Sequence, residues 1–181
     1  MTDPIVVVDY DPAWPALFAA LRAPVAAALQ EIAVAIEHVG STAVPGLAAK
    51  PIIDLDVALR AAADLPEAIE RLARLGYAYE GDKGIPDRAA FAWPPQAPRH
   101  HLCVCALDSV EYWRHLLFRD YLRAHPDTTM AYAALKRQLA EQYRGQRDAY
   151  TEAKGPFVRA AMARAEEWAR MTAWAVPERH M

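Results

Sequence analysis

Two aspartates interrupt the most apolar stretch of the chain, residues 52–59, which read IIDLDVAL. Burying a carboxylate in an apolar strand costs free energy unless the group is paired, hydrogen-bonded or bound to a metal ion. Because side chains alternate between the faces of a strand, Asp54 and Asp56 share one face, and the aliphatic residues beside them occupy the other. The chain therefore needs a fold whose sheet accepts two neighbouring carboxylates on one side.

The segment before this strand indicates what the carboxylates are for. Mg²⁺ prefers oxygen ligands and completes its shell with waters and substrate phosphates, so it relieves the repulsion between Asp54 and Asp56. Upstream, Gly40 and Ser41 offer backbone N–H groups and a hydroxyl that hold a phosphate. A strand, a Gly-Ser turn and a second strand with Asp-x-Asp are typical of metal-dependent nucleotidyl transfer. The alternative is an Asp-x-Asp at an exposed edge, where solvated carboxylates have no such role.

Length, charge and cysteine content narrow the class of protein. The 181 residues fit one domain, and the net charge of −3 gives no general attraction to nucleic acids or membrane surfaces. Cys103 and Cys105 are too close along a strand to form an ordinary disulfide, so we expect reduced thiols. The N-terminal segment lacks the basic region of a signal peptide, and no stretch is both long and apolar enough to cross a bilayer. We therefore expect a cytoplasmic protein. The sequence does not predict its oligomeric state.

Hydrophobic periodicity predicts an α+β fold in which a mixed sheet is backed by helices from both ends of the chain. The predicted strands cover residues 32–39, 52–59, 77–80, 89–93 and 101–107, and residues 5–8 form an edge strand or an extended arm. The predicted helices cover residues 14–30 (kinked or split at Pro24), 64–75, 109–124, 127–145 and a last helix from about residue 155. We expect one domain over 1–181, with an α/β core at 1–108 and packed C-terminal helices at 109–181.

Several long motifs resemble one family. The segments IEHVGSTAVPGLAAKPIIDLDV, HHLCVC and FRDYLRAHPDTTMAYAALKRQLA closely resemble the GrpB family, as do VVVDYDPAWPALF and YTEAKGPFV. The resemblance extends from about Val6 to Val158. It implies the fold of the DNA-polymerase-beta-type nucleotidyltransferase superfamily, with a mixed β-sheet flanked by helices and a helical C-terminal region. It also implies a cytosolic protein, some of whose relatives are fused to dephospho-CoA kinase, and it brings no settled substrate.

One feature of that superfamily is missing here. Active members usually supply a third Asp or Glu from a neighbouring strand, but the candidate strand, HHLCVC, carries no carboxylate. Either His101 takes that place or Glu80 reaches it from the preceding strand. The paired carboxylates lead us to expect Mg²⁺ as the cofactor. Because histidine suits Mn²⁺ or Zn²⁺ better than Mg²⁺, Mn²⁺ is the alternative.

Basic residues near these motifs are candidates for phosphate binding. Lys50 directly precedes the Asp strand. Arg119 and Arg123 share a helix face at i,i+4, so an acidic partner or an anionic ligand would explain them. Lys136 and Lys154 are included because of the family resemblance. For each cation the alternative is an ordinary solvated charge.

Two functions follow from these residues. The first is a metal-dependent nucleotidyltransferase that acts from an NTP on a small-molecule or protein acceptor. In it Asp54 and Asp56 bind the metal, and His101 completes the site or acts as a base. The phosphate-binding residues are Gly40, Ser41, Lys50, Arg119, Lys136 and Lys154. The second is a non-catalytic module of the same fold that binds a nucleotide or a coenzyme A precursor, which the missing third carboxylate favours.

Overall fold

The protein is described here by a computed structural model, which covers residues 4–175. Five strands form one sheet: β1 (Ala33–Val39), β2 (Ile53–Leu59), β3 (Ala78–Tyr79), β4 (Arg88–Ala92) and β5 (His100–Ala106). Five α-helices surround it: α1 (Trp14–Leu29), α2 (Leu65–Ala73), α3 (Val110–Ala124), α4 (Pro126–Tyr143) and α5 (Arg147–Thr172). The α+β fold is confirmed, and each predicted strand end lies within one residue of the observed end.

The sheet is mixed, and its strand order is β1-β2-β5-β4-β3. β2 runs antiparallel to β1 and parallel to β5, while β4 runs antiparallel to both β5 and β3. The two strands that carry the proposed site, β2 and β5, are therefore neighbours, although about 40 residues separate them in sequence. A parallel pair needs a long crossover connection, and α2 with the β3–β4 hairpin provides it.

The two faces of the sheet carry different residues. On one face, Leu55 and Val57 of β2 and the aliphatic residues of β5 form the main core with α1 and α2. On the other face, α3 packs Tyr112 and Leu116 against Ala58 and its neighbours. This second face also carries Asp54 and Asp56, because residues 54, 56 and 58 share one side of β2. Helix α3 is therefore the element that closes over the carboxylates.

The C-terminal helices stack on α3 and not directly on the sheet. Met162 and Ala165 of α5 pack against Leu117 and Tyr121 of α3. Residues 5–8 form an extended arm whose sheet-like contact is a single bridge between Val8 and Ala49. Within residues 4–175, no helix is both long and apolar enough to cross a membrane.

One predicted helix boundary was wrong, and it lies at a proline, Pro156. Pro24 lies inside α1, which is a single helix, so the alternative of two helices at this proline is excluded. Helix α5 begins at Arg147, so Pro156 lies in its interior and not near its start. A proline inside a helix removes one hydrogen bond and crowds the preceding turn. Buried contacts on both sides, such as Tyr150 before Pro156 and Met162 after it, compensate and keep α5 continuous.

Candidate functional site

The two aspartates lie on the α3 side of the sheet, where β2 meets β5. In the strand register Asp54 is level with His101, and Asp56 is level with Cys103. Their environments differ: the side chain of Asp54 is 33% exposed, whereas that of Asp56 is 2% exposed. Both line a cavity of about 430 Å³. Asp54 therefore faces this cavity as a partly solvated carboxylate, and Asp56 forms its buried floor.

Each aspartate is hydrogen-bonded to a histidine from another element. Nδ1 of His101 in β5 donates to Oδ1 of Asp54 at 2.7 Å. Nδ1 of His115 in α3 donates to Oδ2 of Asp56 at 2.6 Å. Sequence reasoning missed His115, although its spacing from Tyr112 and Arg119 places all three on the helix stripe that faces the sheet. The two carboxylates therefore repel each other less than an unpaired Asp-x-Asp would.

Burial dominates the electrostatics of the deeper pair. Loss of solvent raises the pKa of Asp56, and the hydrogen bond from His115 opposes this rise. For His115, burial alone would lower the pKa, but the hydrogen bond to Asp56 and the charge of Asp56 raise it. His115 consequently keeps its positive charge to a higher pH than an ordinary histidine.

Gly40 is in direct contact with the outer aspartate. Its φ is +71°, and a Cβ atom at this position would lie 2.2 Å from Oδ2 of Asp54. No L-residue with a side chain fits there, because both the backbone conformation and the close approach require glycine. A short 3-10 turn, Ser41–Ala43, follows at once and places Ser41 beside the same carboxylate. The Gly-Ser turn and Asp54 are thus one rigid unit.

Three lysines line a second cavity of about 240 Å³ on the other side of this unit, together with Ser41. Nζ of Lys136 donates to Oγ of Ser41 at 2.9 Å, and Lys136 is only 3% exposed. The ammonium groups of Lys50 and Lys154 lie 5.6 Å and 4.5 Å from the ring centre of Tyr150. Between residues 4 and 175 no carboxylate forms an ion pair with these lysines. We call this cavity the lysine pocket.

The lysine pocket holds three lysines and one carboxylate, Asp54, so its positive charge is only partly neutralised by the protein. Burial lowers the pKa of Lys136 to about 7 and that of Lys154 to about 8, and neighbouring cations lower both further. The pKa of Lys50 is also lowered, again mainly by burial. The charge of Asp54 opposes these shifts, but one carboxylate does not balance three lysines, so an anion in the pocket would interact favourably with them.

The two cavities meet at three shared residues, Gly40, Asp54 and His101. The structure therefore brings together the Gly-Ser turn, both aspartates, His101 and the three lysines predicted from the sequence. The site thus combines the lysine pocket on one side of Asp54 with a larger cavity on the other side, which both acidic and basic residues line.

Arg119 is the exception among the predicted phosphate-binding residues. Its guanidinium group is 5% exposed and donates to Glu37 at 2.7 Å, to Asp120 at 2.7 Å and to the carbonyl of His38 at 3.1 Å. It lines neither cavity. The expectation that Arg119 binds phosphate was wrong, because internal acceptors already occupy its N–H groups. Arg123 likewise bonds the carbonyl of Ala43.

Glu80 does not act as the missing third carboxylate in this arrangement. It lines the larger cavity, but its side chain pairs with Lys83 at 2.5 Å. Among residues 4–175, no three His, Cys, Asp or Glu side chains lie close enough to form a metal-binding cluster. Mg²⁺ commonly uses one or two carboxylates and takes its other ligands from substrate phosphates and water. Asp54 and Asp56 therefore suit an ion that takes its other ligands from outside the protein better than an ion held by protein ligands alone.

Comparison with known families gives a match over most of the chain. A family model described as "GrpB protein" matches residues 4–164. Among solved structures, the conserved protein GrpB from Enterococcus faecalis superimposes with a TM-score of 0.82 and 34% sequence identity. The alignment covers 90% of this chain and 99% of that one. The fold and the sequence therefore point to the same family.

Curated relatives agree but extend beyond this chain to different degrees. The UPF0157 protein PA4798 of Pseudomonas aeruginosa is 41% identical over 90% of this chain and 68% of its own length. The UPF0157 protein YqkA of Bacillus subtilis is 38% identical over 75% of this chain and 39% of its own length. A protein named dephospho-CoA kinase from Mycolicibacterium paratuberculosis is 31% identical over 94% of this chain but only 48% of its own length. The chain thus spans about two fifths of YqkA and about half of that kinase.

Proposed function

The chain belongs to the GrpB family, and we propose that it transfers a nucleotidyl group from an NTP to a small-molecule or protein acceptor. The observation that supports this most strongly is the lysine pocket beside Gly40, Ser41 and Asp54. Three cations that form no ion pair with a carboxylate of the described residues, of which Lys136 is buried and Lys50 and Lys154 are partly buried, match a polyphosphate. A partly exposed carboxylate at the pocket edge matches the metal ion that accompanies it.

In this proposal each residue has a defined task. Lys136, Lys154 and Lys50 neutralise the phosphates, and the hydroxyl of Ser41 with the adjacent backbone orients them. Asp54 and Asp56 would hold Mg²⁺ or Mn²⁺, which supplies charge neutralisation at the reacting phosphate when it is bound. His101 lies where the two cavities meet, and its hydrogen bond to Asp54 fixes the orientation of its ring. We place this activity in the cytoplasm, because both cysteines are free thiols.

A second function is favoured by a specific observation. No third carboxylate joins Asp54 and Asp56 in the described residues, and both aspartates already have histidine partners. A binding module without turnover needs only the lysine pocket. Since the chain matches about half of two proteins named dephospho-CoA kinase, a coenzyme A precursor is the ligand we propose for this alternative.

Thermal denaturation and calorimetric titration test both functions together. ATP, CTP, GTP and dephospho-CoA are titrated with and without Mg²⁺, and pyrophosphate release is measured in parallel. A ligand present at a hundredfold excess over its Kd stabilises the fold by about 2.7 kcal/mol. Lys136→Met is the test variant, and Arg137→Met is its matched control. Arg137 is the next residue on α4, but it is exposed and pairs with Asp9.

The outcomes separate the two functions. Binding that Lys136→Met weakens and Arg137→Met does not, together with pyrophosphate release, supports the nucleotidyltransferase. The same binding without pyrophosphate release for any NTP supports the binding module. If no nucleotide or dephospho-CoA stabilises the wild-type protein, both functions are wrong.

A further inference from the structure

The larger cavity adjoins the lysine pocket but shares only three residues with it. We propose that it binds the acceptor of the transfer reaction, and that this acceptor is a small molecule whose terminal carboxylate or phosphate is held by Arg88. The inference rests on the proposed function, because an acceptor site requires a nucleotide beside it. It also narrows that function by favouring a small-molecule acceptor over a protein.

Most charged groups that line this cavity neutralise one another in pairs. The pairs are Asp54 with His101, Asp56 with His115, and Glu80 with Lys83. The two other charged lining residues, Arg88 and Arg147, have no ion-pair partner in the part of the chain that the structure describes. With both histidines neutral, the three acidic residues balance Lys83, Arg88 and Arg147, so the cavity offers two arginines that no carboxylate of the described chain pairs and not a net positive charge.

Arg88 has a donor available for a ligand. It lies at the start of β4 and is partly buried, and one terminal nitrogen donates to the carbonyl of Asp82 at 3.2 Å. Its Nε atom is shielded from solvent and has no hydrogen-bond partner. An unsatisfied buried N–H destabilises the protein, and a guanidinium group binds carboxylate or phosphate through parallel N–H bonds. Because Nε is shielded from solvent, a ligand oxyanion reaches it only after the Arg88 side chain shifts, a movement that leaves the strands in place.

The strand register separates the backbone of Arg88 from that of Asp54 along the sheet. Arg88 is level with Cys105 on β5, whereas Asp54 is level with His101, four residues earlier on that strand. Four residues correspond to about 13 Å along a strand. An acceptor that reaches both ends therefore carries its oxyanion several bonds away from its hydroxyl or amine. The volume of about 430 Å³ suits such a molecule and falls in the usual range for small-molecule sites.

The transfer step that this placement allows is balanced. The acceptor oxygen or nitrogen forms a bond to the α-phosphorus, and the bond from that phosphorus to the pyrophosphate oxygen breaks. The acceptor loses its proton to water, and pyrophosphate leaves through the lysine pocket. Arg88 takes no part in the bond changes; it determines which acceptor binds.

Matched probes test the anion requirement on the full-length chain. The probes are 6-hydroxyhexanoate, 6-hydroxyhexyl phosphate and 1,6-hexanediol, which share a hydroxyl and a six-carbon chain and differ in the second end group. Binding is followed by protein NMR shifts in the presence of ADP. We expect at least one of the two anions to bind at least tenfold more tightly than the diol. Comparing the two anions then shows whether the site prefers carboxylate or phosphate.

Substitutions then locate the anion. Arg88→Gln should weaken anion binding about tenfold and change the affinity for ADP less than twofold. Arg74→Gln, an exposed arginine just after α2, should change neither. Should Arg88→Gln melt at a markedly lower temperature, Arg88→Lys replaces it. That variant keeps the charge but loses the planar fork, so a several-fold loss of affinity is still expected.

The results separate this inference from the proposed function. Equal binding of diol and anions, no binding of any probe to a protein that binds ADP, or unchanged anion affinity in folded Arg88 variants would each overturn the acceptor assignment. If the protein binds the anionic probes but does not bind ADP, the anion site stands and nucleotidyl transfer is contradicted.

Discussion

The ammonium group of Lys136 donates a hydrogen bond of 2.9 Å to the hydroxyl of Ser41, across 95 residues of sequence. This contact joins helix α4 to the Gly-Ser turn and brings a nearly buried cation next to Asp54. Contacts within the protein itself therefore assemble the lysine pocket. The free-energy cost of burying Lys136 and the affinity of the pocket for anions can be measured in separate experiments.

The first prediction concerns the pH dependence of stability. The folded-state pKa of Lys136 is lowered to about 7 from an ordinary value of 10.5. Between these values the unfolded chain binds more protons than the folded one, so the free energy of unfolding rises with pH there. Lys136→Met removes this contribution. We expect the mutant to be more stable than wild type near pH 7, by an amount on the order of a few kcal/mol that shrinks towards pH 10.

Urea denaturation of both proteins from pH 6.5 to 10 measures this difference. Arg137→Met serves as the control for loss of a surface cation, since Arg137 is exposed and its pair with Asp9 contributes little. Because the charge of Arg137 also lowers the pKa of Lys136, this variant should gain stability near pH 7 by a smaller amount than Lys136→Met. A Lys136→Met difference that stays constant over this pH range would mean that Lys136 is not a desolvated cation in the folded protein.

The second prediction is proton uptake on ligand binding. At pH 8 both Lys136 and Lys154 are partly neutral, with pKa values of about 7 and about 8. Phosphates are already ionised at this pH, and their charge favours the protonated lysines. Calorimetric titration of ADP without metal, in buffers of different ionisation enthalpy, should therefore show protons taken up. The affinity should fall as the pH rises from 7 to 9. Lys154→Met should take up fewer protons, and an enthalpy independent of the buffer would contradict the assignment.

The third prediction uses two glycines as a matched pair. Gly40 and Gly46 both have a positive φ, of +71° and +80°, but a methyl group added at Gly46 would meet no atom within 4 Å, whereas one at Gly40 would meet Asp54. Gly46→Ala should cost about 1 kcal/mol from backbone strain alone. Gly40→Ala should cost more, because the methyl group displaces the carboxylate of Asp54, and it should also weaken binding of Mg²⁺-ATP. Chemical denaturation of both variants measures the difference, and equal losses would show that Asp54 moves freely.

The fourth prediction compares the two histidines. His115→Gln should destabilise the protein by about 3 kcal/mol, because it weakens the pairing of a carboxylate that is 2% exposed. His101→Gln should cost less than about 1 kcal/mol, since water reaches Asp54. The raised pKa of His115 adds a pH dependence: its stabilisation is complete below about pH 6.5 and is lost as the pH rises through the folded-state value. Similar losses for both variants at pH 6 would argue against a difference in burial.

The fifth prediction separates metal binding from structure. Asp54→Asn should change the stability of the ligand-free protein by less than about 1 kcal/mol, because the side chain is partly exposed and the amide keeps a hydrogen-bond acceptor. It should abolish the additional thermal stabilisation that Mg²⁺ gives in the presence of ATP. Lys83→Met, another lining residue of the larger cavity, is the control. Wild-type protein whose ATP binding ignores Mg²⁺ would rule out a metal role for Asp54.

The sequence alone determined the strands and the common face of Asp54 and Asp56, since both depend on the period of neighbouring residues. It also determined the Gly-Ser turn, whose backbone requirement is local. It did not predict that Pro156 would lie inside α5, because the buried residues that hold this helix together pack against distant elements. It predicted α3 as a helix but not how α3 packs over the sheet, because that packing also depends on residues from distant elements.

Only the tertiary structure decided which side chains meet. His115 reaches Asp56 across 59 residues, and Lys136 reaches Ser41 across 95. Arg119 had the right charge and spacing for a phosphate, yet Glu37, 82 residues away, pairs with it instead. Charge and periodicity limit what a side chain can bind, but partners come from whichever elements pack together. Burial then sets the free-energy cost of a charge. An ammonium group on an exposed helix face stays solvated, whereas one inside the lysine pocket loses much of its solvation.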